Sequence, residues 1–471
     1  MEFDLKTWAK LYQTEPPLTT ETPHSATREL SQLALEDLPR ALALWQSIDQ
    51  ATVQQFQHYL PQIQRLQQPI LESAYTARVF LVGCGSSGRL AYWMQAYLRE
   101  THPNLKIIAL LAGGTGALIR SQEGIEDSLT QGENALKPYQ LTAHDYVIGL
   151  AASGRTPYVL GALTAAVHAQ SGALLMLNNP LHQVKPRLKN PELLDQIQTL
   201  VLDVGPMALT GSTRLQATTA LQLALLVLLD PDFDFVHFQT FFNTLDFQAL
   251  APLIRYESEI LNQPGFPVLK NPLEYQSDPI CLLTVLADLT ERAPTFNLPP
   301  ITPTPSASPW QIKTKNQADM AQLSQLATFT LPEAPTPYQL KIQIDFIDPL
   351  SQAALPAIQR FSNQACLSLP NTLPLAYSQL ALKCLLNAHS TLTLGRLGYF
   401  SGNQMTHLSP SNAKLIDRAI RYALAYAPQG MTYESAAQIA LSLIQTPSTG
   451  TSIVERLTAA LCEASLCSPS R

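Results

Sequence analysis

The 471-residue sequence has little charge and only a modest excess of negative charge. Charged residues make up 14% of the chain and the net charge is −6. A nucleic-acid-binding surface needs clustered lysine and arginine, and no basic run occurs, so this class of function is disfavoured. Hydrophobic residues make up 46% of the chain, which predicts folded domains with a large core and excludes a disordered chain.

Long apolar runs and cysteine motifs are also missing. The longest apolar stretch, near Ala220 to Leu229, ends at Asp230 and is too short to cross a bilayer. The first residues, Met-Glu-Phe-Asp, lack the basic start of a secretory signal. No two cysteines form a CxxC pair, which disfavours zinc and a disulfide framework. The cysteines are Cys84, Cys281, Cys366, Cys384, Cys462 and Cys467.

These absences lead to one set of expectations. We expect a reduced, cytoplasmic protein that contacts neither membrane nor nucleic acid. Neither a cofactor nor a metal is predicted.

What the sequence does contain is a glycine-rich turn that follows a short apolar run. Val79–Val82 predicts a buried strand, Gly83-Cys84-Gly85-Ser86-Ser87-Gly88 the turn, and Leu90–Leu98 a helix. Glycines let the backbone approach an anion, and the free N–H groups of a helix N-terminus favour phosphate. The turn therefore predicts a phosphate site, with the hydroxyls of Ser86 and Ser87 as further donors.

Two alternatives stay open for this turn. The G-x-G-x-x-G spacing also suits a dinucleotide, but that site needs a carboxylate at the end of the next strand. The next predicted strand, Ile107–Leu111, ends in Ala112-Gly113-Gly114, so NAD-type binding is disfavoured. The second alternative is a tight turn between strand and helix that holds no ligand.

Strand and helix patterns alternate from residue 71 to about 240. This alternation predicts a parallel sheet with helices on both faces. Ligands of such sheets bind outside the carboxyl ends of the strands. The predicted strands are Val79–Val82, Ile107–Leu111, Asp145–Ala151, Ala173–Leu177 and Thr199–Val204.

Two further hydroxyl-rich turns open helices in this half of the chain. Ala151–Pro157 contains Ser153, and Leu209–Arg214 contains Ser212 before an apolar helix over Leu215–Leu229. Either turn alone is interpreted more simply as a serine or threonine helix cap. The three turns together favour a small phosphorylated ligand whose hydroxyls also need partners. Each turn carries an arginine: Arg89, Arg155 and Arg214.

A loop rich in carboxylates, Gln122–Asp127, follows soon after the second predicted strand. Alone, such a cluster is more simply interpreted as a solvated surface. Its position also suits a carboxylate that accepts hydrogen bonds from sugar hydroxyls or acts as a base. The candidates are Glu123 and Glu126.

Several long motifs occur in a characteristic order. In the first half they are Gly-Cys-Gly-Ser-Ser-Gly-Arg, Leu-Leu-Ala-Gly-Gly, Glu-Gly-Ile-Glu-Asp, Gly-Leu-Ala-Ala-Ser-Gly-Arg-Thr-Pro-Tyr-Val and Leu-Thr-Gly-Ser-Thr-Arg-Leu. The C-terminal half adds Leu386–Thr391, Gly402–Met405 and Ser411–Leu415. These motifs resemble the sugar isomerase (SIS) family of N-acetylmuramic acid 6-phosphate etherases and glucokinase regulatory proteins. The resemblance covers about 75–240 strongly and 376–425 well.

The resemblance implies an α/β fold with a flavodoxin-like SIS domain, a three-layer αβα arrangement that binds a phosphosugar. It implies that Glu126 contacts the sugar and, as in the etherases, is catalytic, with Glu123 in support. The other implied contacts to sugar or phosphate are Gly85, Ser86, Ser87, Ala151, Ser153, Arg155, Ser212 and Arg396.

The chain departs from the etherases at the second catalytic glutamate, the proton donor. That position corresponds to Tyr97, and the regulatory proteins also lack a glutamate there. Glu100 lies three residues on, about 5 Å further along the helix axis. Further departures are Met207 for a glutamate, Gln216 for a lysine, and Tyr399 for a phosphate-binding lysine that nearby Arg396 would replace.

Two functions follow from this pattern. The first is a phosphosugar-binding protein of regulatory type that lacks full etherase activity. The alternative is an etherase-like carbon–oxygen lyase that releases D-lactate from N-acetylmuramic acid 6-phosphate. The Tyr97 position favours the first, and the sequence identifies no protein partner.

Four regions are predicted along the chain. Residues 1–70 form a helical segment, where Pro39 breaks or starts a helix within Leu30–Ser47. Residues 71–245 form the SIS domain, and 376–471 a second helical segment, including Ala423–Leu461.

The remaining region, 246–375, is interpreted as a second, shortened SIS-like lobe. It contains a proline-rich linker at Pro294–Pro309 and a strand pattern at Lys341–Ile347. Leu282–Phe296 resembles a segment of the longer regulatory-type members. This lobe would replace the second subunit of an etherase dimer, so a two-lobe monomer is favoured over an obligate dimer.

Overall fold

The computed structural model describes residues 16–119, 124–262, 273–277, 282–296, 310–314, 343–345, 374–410, 412–445 and 452–466. The strands are β1 Val79–Gly83, β2 Ile107–Leu111, β3 Tyr146–Leu150, β4 Gly172–Leu177, β5 Gln198–Val201, β6 Leu273–Ser277, β7 Trp310–Thr314 and β8 Gln343–Asp345. The helices of the first half are α1 Leu30–Glu36, α2 Leu38–Phe56, α3 Leu60–Thr76, α4 Gly85–Thr101, α5 Leu129–Leu136, α6 Pro157–His168, α7 Leu181–Val184 and α8 Gln216–Leu229. The later helices are α9 Phe235–Phe242, α10 Ala251–Leu261, α11 Leu282–Phe296, α12 Leu375–Arg396, α13 Ala413–Tyr426, α14 Tyr433–Gln445 and α15 Ile453–Leu466.

The helical N-terminal segment was predicted correctly from about residue 30. Pro39 occupies the first turn of α2 and therefore starts this helix, because its missing N–H is not needed there. Asp37 precedes the helix and accepts a hydrogen bond from the backbone N–H of Arg40 at 3.2 Å. The segment packs its apolar face, which includes Trp45 and Phe56, into the main core.

The first five strands form one parallel sheet in the order β2-β1-β3-β4-β5. All five predicted strands are confirmed, and most of their ends agree with the prediction within one residue. The largest difference is at β5, which ends at Val201 rather than Val204. This strand order is that of the flavodoxin-like doubly wound fold, and it confirms the predicted α/β class.

Both faces of the sheet are buried. Along β1, Val79 and Leu81 belong to one hydrophobic cluster, whereas Phe80 and Val82 belong to the other. Neighbouring side chains of a strand point to opposite faces, so the two clusters are two separate cores. Helices α3, α4 and α8 cover the first face, and α5, α6 and α7 cover the second. The result is the predicted three-layer arrangement.

The glycine-rich turn differs from its prediction. Helix α4 begins at Gly85 instead of Leu90, so Ser86, Ser87 and Gly88 form its first turn. The helix can begin this soon after β1 because glycine has no Cβ that would clash with neighbouring atoms. A Cβ on Gly88 would stand 2.2 Å from Leu111 Cδ1 and 2.7 Å from the Gly83 carbonyl oxygen. The close packing of α4 on the strand ends therefore depends on glycine at this position.

The long apolar stretch of the sequence forms α8, whose residues are all buried. A helix that is apolar all round is typical of a core position, which agrees with the prediction that it does not span a bilayer. Across the described ranges, no helix combines the length and the hydropathy that a membrane crossing requires.

Helix α12 is the other central helix, and nearly every residue from Ala376 to Gly395 is buried. It packs against α11, which in turn packs on α4. Helix α11 extends through Pro294 to Phe296, so the predicted linker at Pro294–Pro309 is wrong at its start. Residues 297–309 lie outside the described residues.

A second sheet of three strands lies in the region 246–375. Its order is β7-β6-β8, with β6 parallel to β7 and antiparallel to β8. Strand β8 falls inside the predicted strand Lys341–Ile347. The division into domains, and the SIS-like nature of this region, stay predictions.

Candidate functional site

A cleft of about 130 Å³ opens at the carboxyl ends of β1 and β3. Ligands of doubly wound sheets bind at this point, where the strand order reverses. Turns after the strands supply one wall: Cys84, Gly85, Ser86 and Ser87 after β1, and Ala151, Ala152 and Ser153 after β3. We call these residues the strand-end wall. Charged side chains form a second part of the lining: Glu21, Arg89, Arg214, Glu291, Lys414 and Arg418. We call these residues the charged wall.

The first turn of α4 presents hydrogen-bond donors to the cleft. The first N–H groups of any helix have no intrahelical acceptor, and the helix dipole is positive at this end. Ser86 and Ser87 both line the cleft here, and none of the described residues hydrogen-bonds either hydroxyl. The structure therefore brings together the predicted Gly85, Ser86 and Ser87 with their donors available.

The turn after β3 completes the strand-end wall. The Ser153 hydroxyl accepts a hydrogen bond from the backbone N–H of Arg155 at 3.2 Å, which holds the turn. The next residue, Gly154, has a φ of +72° and faces Leu177 and Val184, so a side chain does not fit. Ala151, Ser153 and Ser212 all line the cleft, as predicted, whereas the Arg155 side chain does not.

The predicted Glu126 also lines the cleft. One oxygen of its carboxylate accepts a hydrogen bond from the Asn412 side-chain amide at 2.6 Å. The side-chain oxygen of Asn412, Oδ1, in turn accepts a hydrogen bond from the backbone N–H of Leu415 at 2.9 Å and so caps α13. One asparagine therefore starts a C-terminal helix and orients the cleft carboxylate. Glu123, predicted to support Glu126, lies outside the described residues.

Three of the four cations in the charged wall are held in ion pairs. Arg214 donates to Asp288 at 2.7 Å, to Thr391 at 2.8 Å and to Asn387 at 3.0 Å. Asp288 also accepts from Arg292, so this pair continues into the core. These partners bind both terminal nitrogens of the Arg214 guanidinium and fix its position, whereas its buried Nε has no partner among the described residues.

The other two paired arginines are bound in the same way. Arg418 makes a two-point contact with the Glu21 carboxylate, with distances of 2.9 and 2.7 Å, and also donates to the Gly211 carbonyl. Arg89 is ion-paired with Glu291 and donates to the Ala117 and Leu118 carbonyls. Arg89 and Arg418 therefore use these donors within the protein.

Lys414 is different from these arginines. It lines the cleft from the first turn of α13, and among the described residues no hydrogen bond or ion pair holds its ammonium group. Its charge acts on the Cys84 thiol and on Asp127, where it opposes a rise in pKa. Lys414 thus supplies a positive charge near the glycine-rich turn that remains available to a ligand.

Cys84 precedes α4 and also lines the cleft. Burial raises the pKa of its thiol well above the usual value, and the negative charge of Glu126 adds to this effect. The thiol is therefore protonated at neutral pH and is a poor nucleophile.

Tyr97 does not reach the cleft. It lies in the core on α4, stacks on Trp93 with ring centres 5.2 Å apart, and donates its hydroxyl to Asp230 at 2.5 Å. Burial, with the Asp230 hydrogen bond, raises the pKa of Tyr97 well above its usual value. The Tyr97 side chain itself is therefore directed away from the cleft and into the core.

Other sequence predictions also lie away from the cleft. Arg396 binds the Ser258 hydroxyl at 3.0 Å and the Ala34 and Leu35 carbonyls, so it links α12 to α10 and α1. Tyr399 packs on His407 and Phe296. Arg396 therefore does not replace a phosphate-binding lysine in this arrangement.

Gln216 and Glu100 also lie away from the cleft. The Gln216 side chain donates to Asp49 at 2.8 Å and accepts from the Ala208 backbone at 3.0 Å, both inside the core. Glu100 stands near the far end of α4 and does not line the cleft.

Sequence reasoning missed four residues of the charged wall: Glu21, Glu291, Lys414 and Arg418. Lys414 stands inside one of the recognised motifs, so the sequence offered a signal for it. Glu21 and Arg418 are 397 residues apart. No local pattern brings together residues so distant in the chain.

Comparison with known proteins agrees with this geometry. Residues 62–167 match the model of the glucokinase regulatory protein N-terminal SIS domain. The chain is 36% identical over 212 residues to an N-acetylmuramic acid 6-phosphate etherase of Pectobacterium atrosepticum, a match that covers 44% of this chain and 66% of the relative. An etherase of Clostridium botulinum is 38% identical over 171 residues, with 35% and 54% covered. An Exiguobacterium etherase is 35% identical over 212 residues, with 44% and 68% covered.

Two solved structures are similar to this chain at low identity. One is a putative phosphosugar isomerase from Clostridium difficile 630, with a TM-score of 0.43, 12% identity, and 76% and 94% of the two chains covered. The other is a tagatose-6-phosphate ketose/aldose isomerase from Escherichia coli, with a TM-score of 0.41, 12% identity, and 64% and 72% covered.

The first two etherases are matched over less than two thirds of their length, and the Exiguobacterium protein over slightly more. With its SIS-type sheet, its glycine-rich turn and these matches, the chain belongs to the N-acetylmuramic acid 6-phosphate etherase family of SIS-domain proteins.

Proposed function

We propose that the protein binds an amino-sugar or hexose phosphate in the cleft and lacks efficient etherase activity. The observation that carries the proposal is that some polar groups of the cleft have protein partners and others do not. The donors of the α4 first turn, Ser86 and Ser87, and the ammonium of Lys414 have no protein partner among the described residues, although they face one cavity.

The phosphate belongs at the α4 end of the cleft in this proposal. Helix N-termini bind anions through free N–H groups and the positive end of the dipole. The hydroxyls of Ser86 and Ser87 add two donors, and Lys414 adds a full positive charge. A dianionic phosphate is the ligand group that uses all of these features.

The sugar belongs between the α4 turn and Glu126. A carboxylate accepts hydrogen bonds from sugar hydroxyls, and Asn412 holds that of Glu126 in place. Ser153 and Ser212 line the same space and offer hydroxyls that can donate or accept. The names of the etherase relatives refer to an amino-sugar 6-phosphate, which is the first ligand to test.

Thermal unfolding in the presence of sugar phosphates tests the binding proposal. N-acetylmuramic acid 6-phosphate, N-acetylglucosamine 6-phosphate and fructose 6-phosphate are compared with the unphosphorylated sugars. Ligand at 100 times its Kd stabilises a protein by about 2.7 kcal/mol, which raises Tm by several degrees in a chain of this size. The double variant Ser86→Ala/Ser87→Ala should lose the shift, and Ser47→Ala on α2 should keep it. If none of the sugar phosphates raises Tm, the proposal is wrong.

A second function, ether elimination, has one observation in its favour. Two carboxylates, Glu126 and Glu291, line the same cleft. Elimination of lactate needs a base for the proton beside the sugar carbonyl and an acid for the departing oxygen. Glu291 is ion-paired with Arg89, so its carboxylate is already bound to a cation of the protein rather than placed as a free acid. We expect the absence of an acid to reduce the rate by about 10²–10⁴-fold.

Lactate release from N-acetylmuramic acid 6-phosphate separates the two functions. The wild-type protein is compared with Glu126→Gln and Glu291→Gln. We expect no release above background from any of the three. Release by the wild type at ordinary enzyme rates, lost in either variant, would establish the lyase instead.

The oligomeric state belongs to the same proposal. We propose a monomer in which residues 246–375 occupy the place of a second subunit. Sedimentation at nanomolar concentration tests it, and a tight dimer would contradict it.

A further inference from the structure

A group of three metal-ligating side chains lies at the opposite end of α4 from the cleft. His102 directly follows the helix, and Asp230 and Asp232 follow the end of α8. The His102 Nε2 atom is 3.6 Å from Asp230 Oδ1 and 3.3 Å from Asp232 Oδ2. All three ligand atoms lie within 4.8 Å of one another.

These distances suit one small cation. Zinc binds imidazole nitrogen at about 2.0–2.1 Å and carboxylate oxygen at about 2.0–2.2 Å, so ligands at the tetrahedral angle are roughly 3.3–3.5 Å apart. The two distances from His102 fall close to this range. Asp232 is exposed over 89% of its side chain, so it is free to rotate the short distance that remains.

The surrounding groups orient the ligands in the way that bound metals require. Thr101 makes a hydrogen bond of 2.9 Å to His102 Nδ1, which leaves Nε2 facing the two carboxylates. Tyr97 donates to the other oxygen of Asp230, Oδ2, at 2.5 Å, which leaves Oδ1 facing His102. The backbone N–H of Asp232 also donates to Asp230 Oδ1, at 3.0 Å. Such outer hydrogen bonds fix ligand orientation in metal sites.

The electrostatic environment also favours a cation. His102 and Asp230 occupy the C-terminal ends of α4 and α8, where helix dipoles are negative. Two carboxylates add to this negative potential. The site has a buried side, where Asp230 is 3% exposed, and an open side at Asp232, which leaves room for a water molecule as fourth ligand.

We propose that His102, Asp230 and Asp232 bind a divalent transition-metal ion, with Zn²⁺ the best match. The site is about 25 Å from the cleft along the 17 residues of α4, so its role is structural. It would link the ends of two core helices. The imidazole selects against Mg²⁺ and Ca²⁺, which prefer sites made only of oxygen ligands.

Zinc titration of the full-length chain, followed by calorimetry in chelator-free buffer, tests this proposal. The variants are His102→Gln and Asp232→Asn, because neither side chain is fully buried: His102 is 14% exposed and Asp232 89%. His58→Gln and Asp195→Asn, at exposed positions elsewhere, are the matched controls. We expect one zinc site whose Kd rises at least about tenfold in each test variant and stays unchanged in the controls.

Tyr97→Phe adds a finer test, because it keeps the ring packing and removes only the hydrogen bond to Asp230. Loss of such an outer partner typically weakens metal binding by about 10–100-fold. A protein whose zinc affinity is the same in wild type, His102→Gln and Asp232→Asn has no site here, and the proposal fails. Loss of binding in only one of these two variants also overturns the three-ligand site.

Discussion

The two walls of the cleft differ in whether the protein itself binds their polar groups. The strand-end wall consists of short turns that leave backbone N–H groups and the hydroxyls of Ser86 and Ser87 without protein partners. The charged wall consists of side chains that mostly have ion-pair partners in the protein: Arg418 pairs with Glu21 inside the wall, and Arg214 pairs with Asp288 outside it. Proximity to a cleft therefore does not make a cation a ligand. What distinguishes a ligand-binding group is hydrogen-bonding capacity that the protein leaves unused.

The largest effect that tests this comparison is expected at Arg214. Arg214→Met leaves the carboxylate of Asp288 buried with one of its two arginine partners removed. Breaking a buried ion pair typically costs 3–5 kcal/mol, as a rough range. Urea unfolding measures it, with Lys185→Met as control, because the exposed Lys185–Asp195 pair should contribute about 0–1 kcal/mol. Equal effects in the two variants would mean that the charged wall is not structural.

The next effect concerns Asp49, a buried carboxylate that lacks an arginine partner among the described residues. Burial raises the pKa of Asp49 to about 6, although nearby Lys383 and hydrogen bonds from Gln216 and Trp45 oppose the rise. The unfolded pKa is about 3.9, so between about pH 4 and 6 the folded state binds more protons than the unfolded state. Stability should therefore fall as pH rises through this window, by up to about 3 kcal/mol from this group.

The pH dependence of unfolding tests this prediction. Free energies of unfolding at several pH values between 4 and 7 are compared for wild type and Asp49→Asn. The variant should show a flatter profile in this window, whatever its absolute stability. Parallel profiles would show that Asp49 has an ordinary pKa in the folded state.

A third effect separates Lys414 from the paired cations. Lys414→Met should leave stability unchanged, because no described residue pairs with its ammonium. It should weaken sugar-phosphate binding by the value of one charge-assisted hydrogen bond, roughly 1.5–3 kcal/mol. Arg418→Met should do the reverse and mainly lower stability, since Glu21 loses its two-point partner. Calorimetric binding and thermal unfolding of both variants decide whether the two residues differ as described.

The smallest effect is expected at Asn412, which belongs to both helix and cleft. Asn412→Ala removes the cap of α13 and should cost about 1 kcal/mol. Asn412→Asp keeps a good cap but removes the donor to Glu126 and adds a like charge. The aspartate variant should therefore retain most stability and lose ligand affinity. Retention of both properties would separate Asn412 from the binding function.

The sequence was informative wherever short-range patterns decide the structure. All five strands of the first sheet were predicted, because buried parallel strands are continuous apolar runs bounded by turns. The turns after β1 and β3 were located for the same reason. Their side chains meet because parallel strands end at one edge of the sheet.

Sequence reasoning failed where contacts join distant segments. Tyr97 was matched by motif to the position of the etherases' proton donor, whereas in the structure its side chain lies in the core beside Asp230. Arg396 was matched by sequence to a ligand position, and the packing of α12 against α1 and α10 directs it to backbone carbonyls instead. The ion pairs of Arg89 and Arg418 likewise depend on packing that no local pattern encodes.

The hydrogen bond between Glu126 and Asn412 has a consequence for the order of folding. It joins residues 286 positions apart, and the Glu21–Arg418 pair spans 397. Contacts of such separation form late, because closing long loops is entropically costly. During synthesis the N-terminal sheet can pack before α13 has left the ribosome. The nascent chain would then hold a folded sheet with an unfinished cleft, and it would acquire its ligand site only when the C-terminal helices dock.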